Sequence, residues 1–143
     1  MSTTAFYEES LVLCDVFKSN RSHSGKKTGT PILYYKAQAL NTQQDYEDHG
    51  LSNDILDDIY YYPDNQNLLE LGSAANQLDV EHPIISDASS SPEVWKNFED
   101  MILNPQITTV KRPYNANSYI LISAGKDGLF GTPDDMFNFD KEE

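Results

Sequence analysis

The strongest constraint on this chain lies near its C-terminus, where the apolar run of "SYILIS" stops at Ser123 and a glycine-punctuated acidic loop begins, "AGKDGLFGTPDD". Asp127, Asp134 and Asp135 stand within nine residues there, with Gly125, Gly128, Gly131 and Pro133 spaced between them. Glycine supplies positive φ without a steric penalty, and proline fixes the backbone just before the Asp pair. A loop of this kind can curl several oxygens around one point. A calcium ion requires that, taking about 6 to 8 oxygen ligands at about 2.3 to 2.6 Å. Without a cation the three carboxylates would repel one another.

The flanks of the loop read as strands. In Ser118 to Ser123, Tyr119 and Leu121 point one way and Ile120 and Ile122 the other, so a central strand covered on both faces is expected. "DMFNF" then supplies an antiparallel partner, with Met136 and Asn138 alternating against Phe137 and Phe139. The EF-hand pattern fails: counting from Asp127 puts Leu129 and Gly131 at ligand positions and Asn138 where a closing Glu belongs. A calcium repeat fails as well, because the loop occurs once. Two readings of the residues stay open, a calcium loop and a solvated, metal-free acidic hairpin loop with an Asp-Gly turn.

Upstream, "PILYYKAQA" is the first clear strand, β-branched and aromatic, with Pro31 at its start where the missing N–H matters least. "SSSPEVWKNFEDMILNP" reads as a helix: Ser91 can cap it, Pro92 suits the first position, and Pro105 ends it. Val94, Trp95, Phe98, Met101 and Ile102 make one apolar face that would pack on the sheet. "ESLVLCDVF" fits a short strand or a last helical turn equally well. "DILDDIYYYPDNQNLLELG" suggests a strand and a turn followed by a second strand or a helical turn, and Ile107 to Val110 suggests an edge strand. The basic stretch from Lys18 to Pro31 and the acidic stretch from Asn41 to Asn53 read as exposed connections. His49 in the second is expected to be solvated, because no His or Cys stands beside it at ligand spacing.

A chain of 143 residues has the size of one domain, residues 1–143. Acidic residues outnumber basic ones 23 to 10, for a formal charge of −13. That balance disfavours nucleic acid and anionic membrane surfaces as partners and favours cations or basic protein faces. Five of the ten Lys and Arg lie between Lys18 and Lys36, and none lies between Ala37 and Trp95. Such a split can orient copies against each other or reflect solvated loops of different sign. The single cysteine, Cys14, excludes an intramolecular disulfide, and its neighbours Val12, Leu13 and Val16 suggest a buried thiol. No stretch reaches the roughly 18 apolar residues of a membrane span, and the first residues lack the form of a signal peptide. No nucleophilic triad is evident and the Asp pair lies in a Gly-rich loop, so an enzyme is not expected.

The segment "SYILISAGKDGLFGTPDDMFNF" resembles the C-terminus of the major pseudopilins of type II secretion systems and of related prepilin-type, type IV pilin-like proteins. By that resemblance Asp127, Asp134 and Asp135 match side-chain calcium ligands, and Ala124 and Thr132 occupy carbonyl or loop-ligand positions. "GTPILYYKA" is similar to the strand that opens the family's sheet. The two echoes cover roughly a quarter of the chain. The resemblance implies an α+β fold, a small antiparallel sheet against a helix, forming a pilin-like globular head with a C-terminal calcium loop. It further implies a structural subunit that self-associates into a fibre with other secretion-system or pilus subunits, on the periplasmic or cell-surface side of a bacterial inner membrane. The family's N-terminal apolar helix, its only membrane contact, is missing from this chain, so either the chain begins after that helix, its natural N-terminus removed, or it is not a filament subunit. Residues Asn41 to Asn117 exceed what the family places between its strands. The competing expectation is a stand-alone extracellular module that binds proteins or glycans in a calcium-dependent way through its tyrosines.

Overall fold

The computed structural model describes residues 12–17, 29–45, 58–69, 82–85 and 92–141. Strand β1 (Leu33–Lys36) pairs antiparallel with β2 (Tyr119–Ser123), which pairs antiparallel with the short β3 (Met136–Phe137). The order β1-β2-β3 puts β2 at the centre, as its apolar run requires. Register matches Leu33 to Ile122 and Tyr35 to Ile120 across the first pair, and Ile122 to Phe137 across the second. With a side-chain period of two, that register gathers Leu33, Tyr35, Ile120 and Ile122 on one face, all fully buried.

Helix α1 (Pro92–Ile102) lays its buried Phe98 and Ile102, four residues apart, into the same core. The Phe98 ring lies 4.7 Å from Tyr35 and 5.3 Å from Tyr62, the second in an edge-on arrangement. Burying two side chains of this size removes enough apolar surface to contribute about 2 kcal/mol each. Ile59, Tyr60, Leu69, Ile84 and Phe130 complete the core from the connecting segments. The architecture is therefore a small α+β fold. Among the described residues no helix is long and apolar enough to cross a membrane.

At two places on the sheet an asparagine amide stands in for a strand. Beyond β1, the Tyr34 N–H donates to Asn65 Oδ1 at 3.2 Å and Asn65 Nδ2 donates to the Tyr34 carbonyl at 2.6 Å. Where β3 runs out, the Leu121 N–H donates to Asn138 Oδ1 at 2.9 Å and Asn138 Nδ2 donates to the Tyr119 carbonyl at 3.2 Å. Unpaired ladder groups invite pairing with other chains, and these amides satisfy them.

Several expectations are corrected. Cys14 is exposed, not buried. It sits in an extended piece that bridges Pro31 outside β1, with the core already filled from the sheet's inner face, so Val12, Leu13 and Val16 are exposed with it. That extended piece favours the strand alternative for this region over the helical turn. The outer face of β2 is only partly covered, since Tyr119 keeps 43% of its surface exposed and Leu121 is half-buried. Residues Tyr62–Asn65 form a 3-10 helix, with residues 66–69 helical after it, so of the two alternatives for the end of this stretch the helical turn is the one found. Pro63 at the start of that turn favours a helical entry over an extended one.

Ile107 to Val110 form no strand. Residues 103–113 make an irregular excursion closed at its base by a Leu103–Pro113 bridge and a hydrogen bond from the Asn104 N–H to the Arg112 carbonyl at 3.0 Å. Tethers at the base and through Lys111 hold the excursion away from the sheet. Lys111 Nζ lies 2.8 Å from Asp45 and 3.4 Å from the buried Glu99. The Val94 and Trp95 side chains, Ser91 and His49 lie outside the described residues, as do the first eleven residues and most of both polar connections.

Candidate functional site

The loop from residue 124 to residue 135 connects β2 to β3 and is shaped by three left-handed glycines, with φ of 63° at Gly125, 71° at Gly128 and 93° at Gly131. At two of them the backbone also leaves no room for a side chain. A Cβ on Gly125 would lie 2.2 Å from the Asp134 carbonyl oxygen, and one on Gly131 would lie 2.6 Å from the Ile84 nitrogen. The first contact seals the two ends of the loop against each other. The second presses its middle against residues 82–85.

Phe130 is the anchor of that middle. Its ring is fully buried 5.2 Å from His82, its N–H donates to His82 Nδ1 at 3.2 Å, and its carbonyl accepts from the Ile84 N–H at 3.1 Å. Where β2 ends, the Ser123 hydroxyl donates to Asp15 Oδ2 at 2.9 Å and accepts from the Gly125 N–H at 3.3 Å. Asp15 also accepts from the Thr30 and Phe17 amides, tying the N-terminal segment to the start of the loop.

The three aspartates have distinct surroundings. Asp127 Oδ1 accepts from the Leu129 N–H at 2.8 Å, a local turn that bends the chain at Gly128. Asp134 crosses the loop to Asp127, its Oδ2 accepting from the Asp127 N–H at 3.1 Å while its Oδ1 lies 2.5 Å from the Thr132 hydroxyl. The Thr132 and Asp127 contacts hold its carboxyl below the usual carboxylate range. Asp135 turns inward. Its Oδ2 accepts from the Gly131 N–H at 2.7 Å, and its Oδ1 is buried without a hydrogen-bond partner. Burial pushes its pKa up to about 6, against the lowering effect of the Gly131 and Thr132 amides, and Asp127 and Asp134 add to the rise.

The loop thus brings Asp127 and Asp134 together through the Asp127 backbone, with Thr132 between them in the network. Asp135 sits one layer deeper. Ala124 is fully buried at the loop's start, beside the Gly125 contact with Asp134. Among the described residues, no three acidic, histidine or cysteine side chains form a cluster of metal-site form. Backbone N–H groups and the Thr132 hydroxyl supply the positive ends that face the carboxylates, which lets like charges share one loop.

The donor set still fits a hard cation. It is all oxygen, it is strongly acidic, and it includes a buried carboxylate oxygen that the protein itself leaves without a donor, an arrangement that costs free energy unless something else satisfies it. His82, Asp15 and Phe130, which hold the loop in place, were not singled out in the sequence. Only Phe130 carried a local signal, a lone aromatic in "GLFG" between two glycines. Comparison with known proteins gives no match to a family model, to a curated protein or to a solved structure.

Proposed function

We propose that this chain is a non-catalytic structural domain whose C-terminal hairpin is held closed by calcium, and that it serves as the globular head of a pseudopilin-like or pilin-like subunit. Such a subunit self-associates into a fibre with other secretion-system or pilus subunits, on the periplasmic or cell-surface side of a bacterial inner membrane. The small α+β fold and the antiparallel hairpin around the acidic loop support this reading. The observation that carries it is the buried Asp135 Oδ1 without a hydrogen-bond donor, in a loop that also holds Asp127 and Asp134. Asp127, Asp134 and Asp135 would hold the ion, with oxygens of Ala124 and Thr132. The ion would supply electrostatic crosslinking of the loop's two ends and no reaction chemistry.

The test is thermal unfolding in calcium and in chelator. Calcium at about 100 times its dissociation constant adds about 2.7 kcal/mol of stability if it binds the folded state alone. Asp135→Asn is expected to remove most of that gain, and superimposable melting curves in calcium and chelator overturn the calcium reading. A prepilin-type leader in the full reading frame is the outcome expected for a fibre subunit. An ordinary cleavable signal there would favour a stand-alone glycan- or protein-binding module instead. That second reading draws on the exposed Tyr34 and Tyr119 rings, paired at 5.8 Å on the outer face of the sheet.

A further inference from the structure

The excursion of residues 103–113 encloses, with the end of α1 and Lys141, an open cavity of about 540 Å³. That volume suits a small organic ligand, and none of the lining residues belongs to the acidic loop. Its lining has two characters. Met101, Leu103, Ile107 and Val110 are its apolar residues, whereas Lys111, Arg112 and Lys141 are its three cationic ones.

On a chain of charge −13 this is an unusual concentration: the described residues include six Lys and Arg, and three of them line this one cavity. Lys111 is already neutralised by Asp45 and Glu99. Asp100, the one carboxylate in the lining, is paired with Lys96 at 2.9 Å. Arg112 differs from both. Its Nη2 donates to the neutral Asn117 Oδ1 at 3.2 Å, and no described carboxylate pairs with it. Lys141 lies over the Phe137 ring at 4.0 Å, so its charge is met by a π face, with Asp135 as a more distant influence. A guanidinium fork with open donors beside an apolar wall matches a planar carboxylate on an apolar body.

We infer that this cavity is a binding site for a small organic acid, with Arg112 receiving the carboxylate, Lys141 adding charge and Ile107 and Val110 covering the apolar body. The ligand's carboxylate could belong to a free organic acid or to the C-terminus of a short peptide, and the two sources share the chemistry that Arg112 reads.

Amide chemical-shift titration of the full chain tests it, with benzoate and hexanoate as free acids, benzamide as the neutral match, and acetylated Ala-Val-Ile with a free or amidated C-terminus as the peptide pair. Saturable shifts confined to residues 100–114 and 141 are expected for a charged probe, together with loss of binding for its neutral counterpart. Arg112→Gln, which keeps an amide within reach of Asn117, is expected to weaken binding by about tenfold or more. Arg112→Lys should retain part of the affinity, and Ile107→Ala should weaken hexanoate more than it weakens acetate, titrated as the carboxylate without an apolar body. Shifts from the free acids alone assign the site to small molecules, and shifts from the peptide acid alone assign it to peptide termini. No saturable shift from any charged probe, or equal binding by charged and neutral probes, overturns the inference. Unchanged affinity in a folded Arg112→Gln protein overturns it as well.

Discussion

Gly125→Ala tests whether the two ends of the acidic loop are packed as tightly as the geometry requires. The residue has φ of 63°, a region in which an L side chain costs about 1 kcal/mol or more. The added methyl would also stand 2.2 Å from the Asp134 carbonyl oxygen and 2.9 Å from Asp134 Oδ2, so Asp134 must retreat. Its retreat lengthens the 3.1 Å bond from the Asp127 N–H and disturbs the contact with Thr132. Both are exposed hydrogen bonds, so the cost lies mainly in the strain and the overpacking. Positive-φ strain and the backbone contact together cost about 2 to 3 kcal/mol, which for a domain of this size lowers Tm by about 10 °C.

The assay is thermal unfolding in chelator, so that no ion compensates. Gly125→Asn separates the two costs, since asparagine tolerates positive φ and yet carries the same Cβ. The expected order of stability is Gly, then Asn, then Ala. A fall of less than about 2 °C for the Ala variant would refute the sealed loop, because neither the backbone strain nor the contact could then be present.

Two further predictions follow from the charged groups. Asp135 has a folded pKa of about 6 against an ordinary 3.8, so the folded state binds this proton more tightly than the unfolded chain. Stability in chelator should therefore fall as pH rises from about 4 to about 6, whereas calcium, which selects the ionised form, should gain affinity over the same window. Melting curves at stepped pH check this, and parallel profiles with and without calcium would remove Asp135 from the site. Lys111→Met leaves Glu99, 2% exposed, without its cation at a cost of about 2 kcal/mol by urea denaturation. Glu99→Gln in the same chain should recover most of that loss, and an unaltered midpoint in the single variant would mean that the ion network contributes nothing.

The elements legible in the sequence are those in which one short-range rule and the tertiary context agree. β1 and β2 alternate cleanly and find each other in a register that buries every inward residue. Proline at either end delimits α1. Residues 107–110 show the opposite case, with Thr, Thr and Val giving a β-like reading that holds only on a pleated, half-buried surface. Here the Leu103–Pro113 bridge and the Lys111 ion pairs hold that stretch out as an excursion, and Asp45, which anchors Lys111, lies far from it in sequence. Cys14 was misread for a related reason. Apolar neighbours indicate burial only if some face of the core remains to receive them.

In the acidic loop the composition was legible and the division of labour was not. Asp134 and Asp135 are adjacent and chemically identical, yet one is fully exposed with a lowered pKa and the other holds a buried oxygen with a raised one. The cause is the strand that follows them. From residue 134 onward burial alternates, with Asp134, Met136 and Asn138 outward and Asp135, Phe137 and Phe139 inward. The period of two that places Phe137 opposite Ile122 therefore carries Asp135 beneath the loop as well. The same alternation that builds the hairpin puts a carboxylate where only a donor or a cation can satisfy it. A one-residue shift of β3 would exchange the two aspartates, turning Asp135 outward and Asp134 beneath the loop.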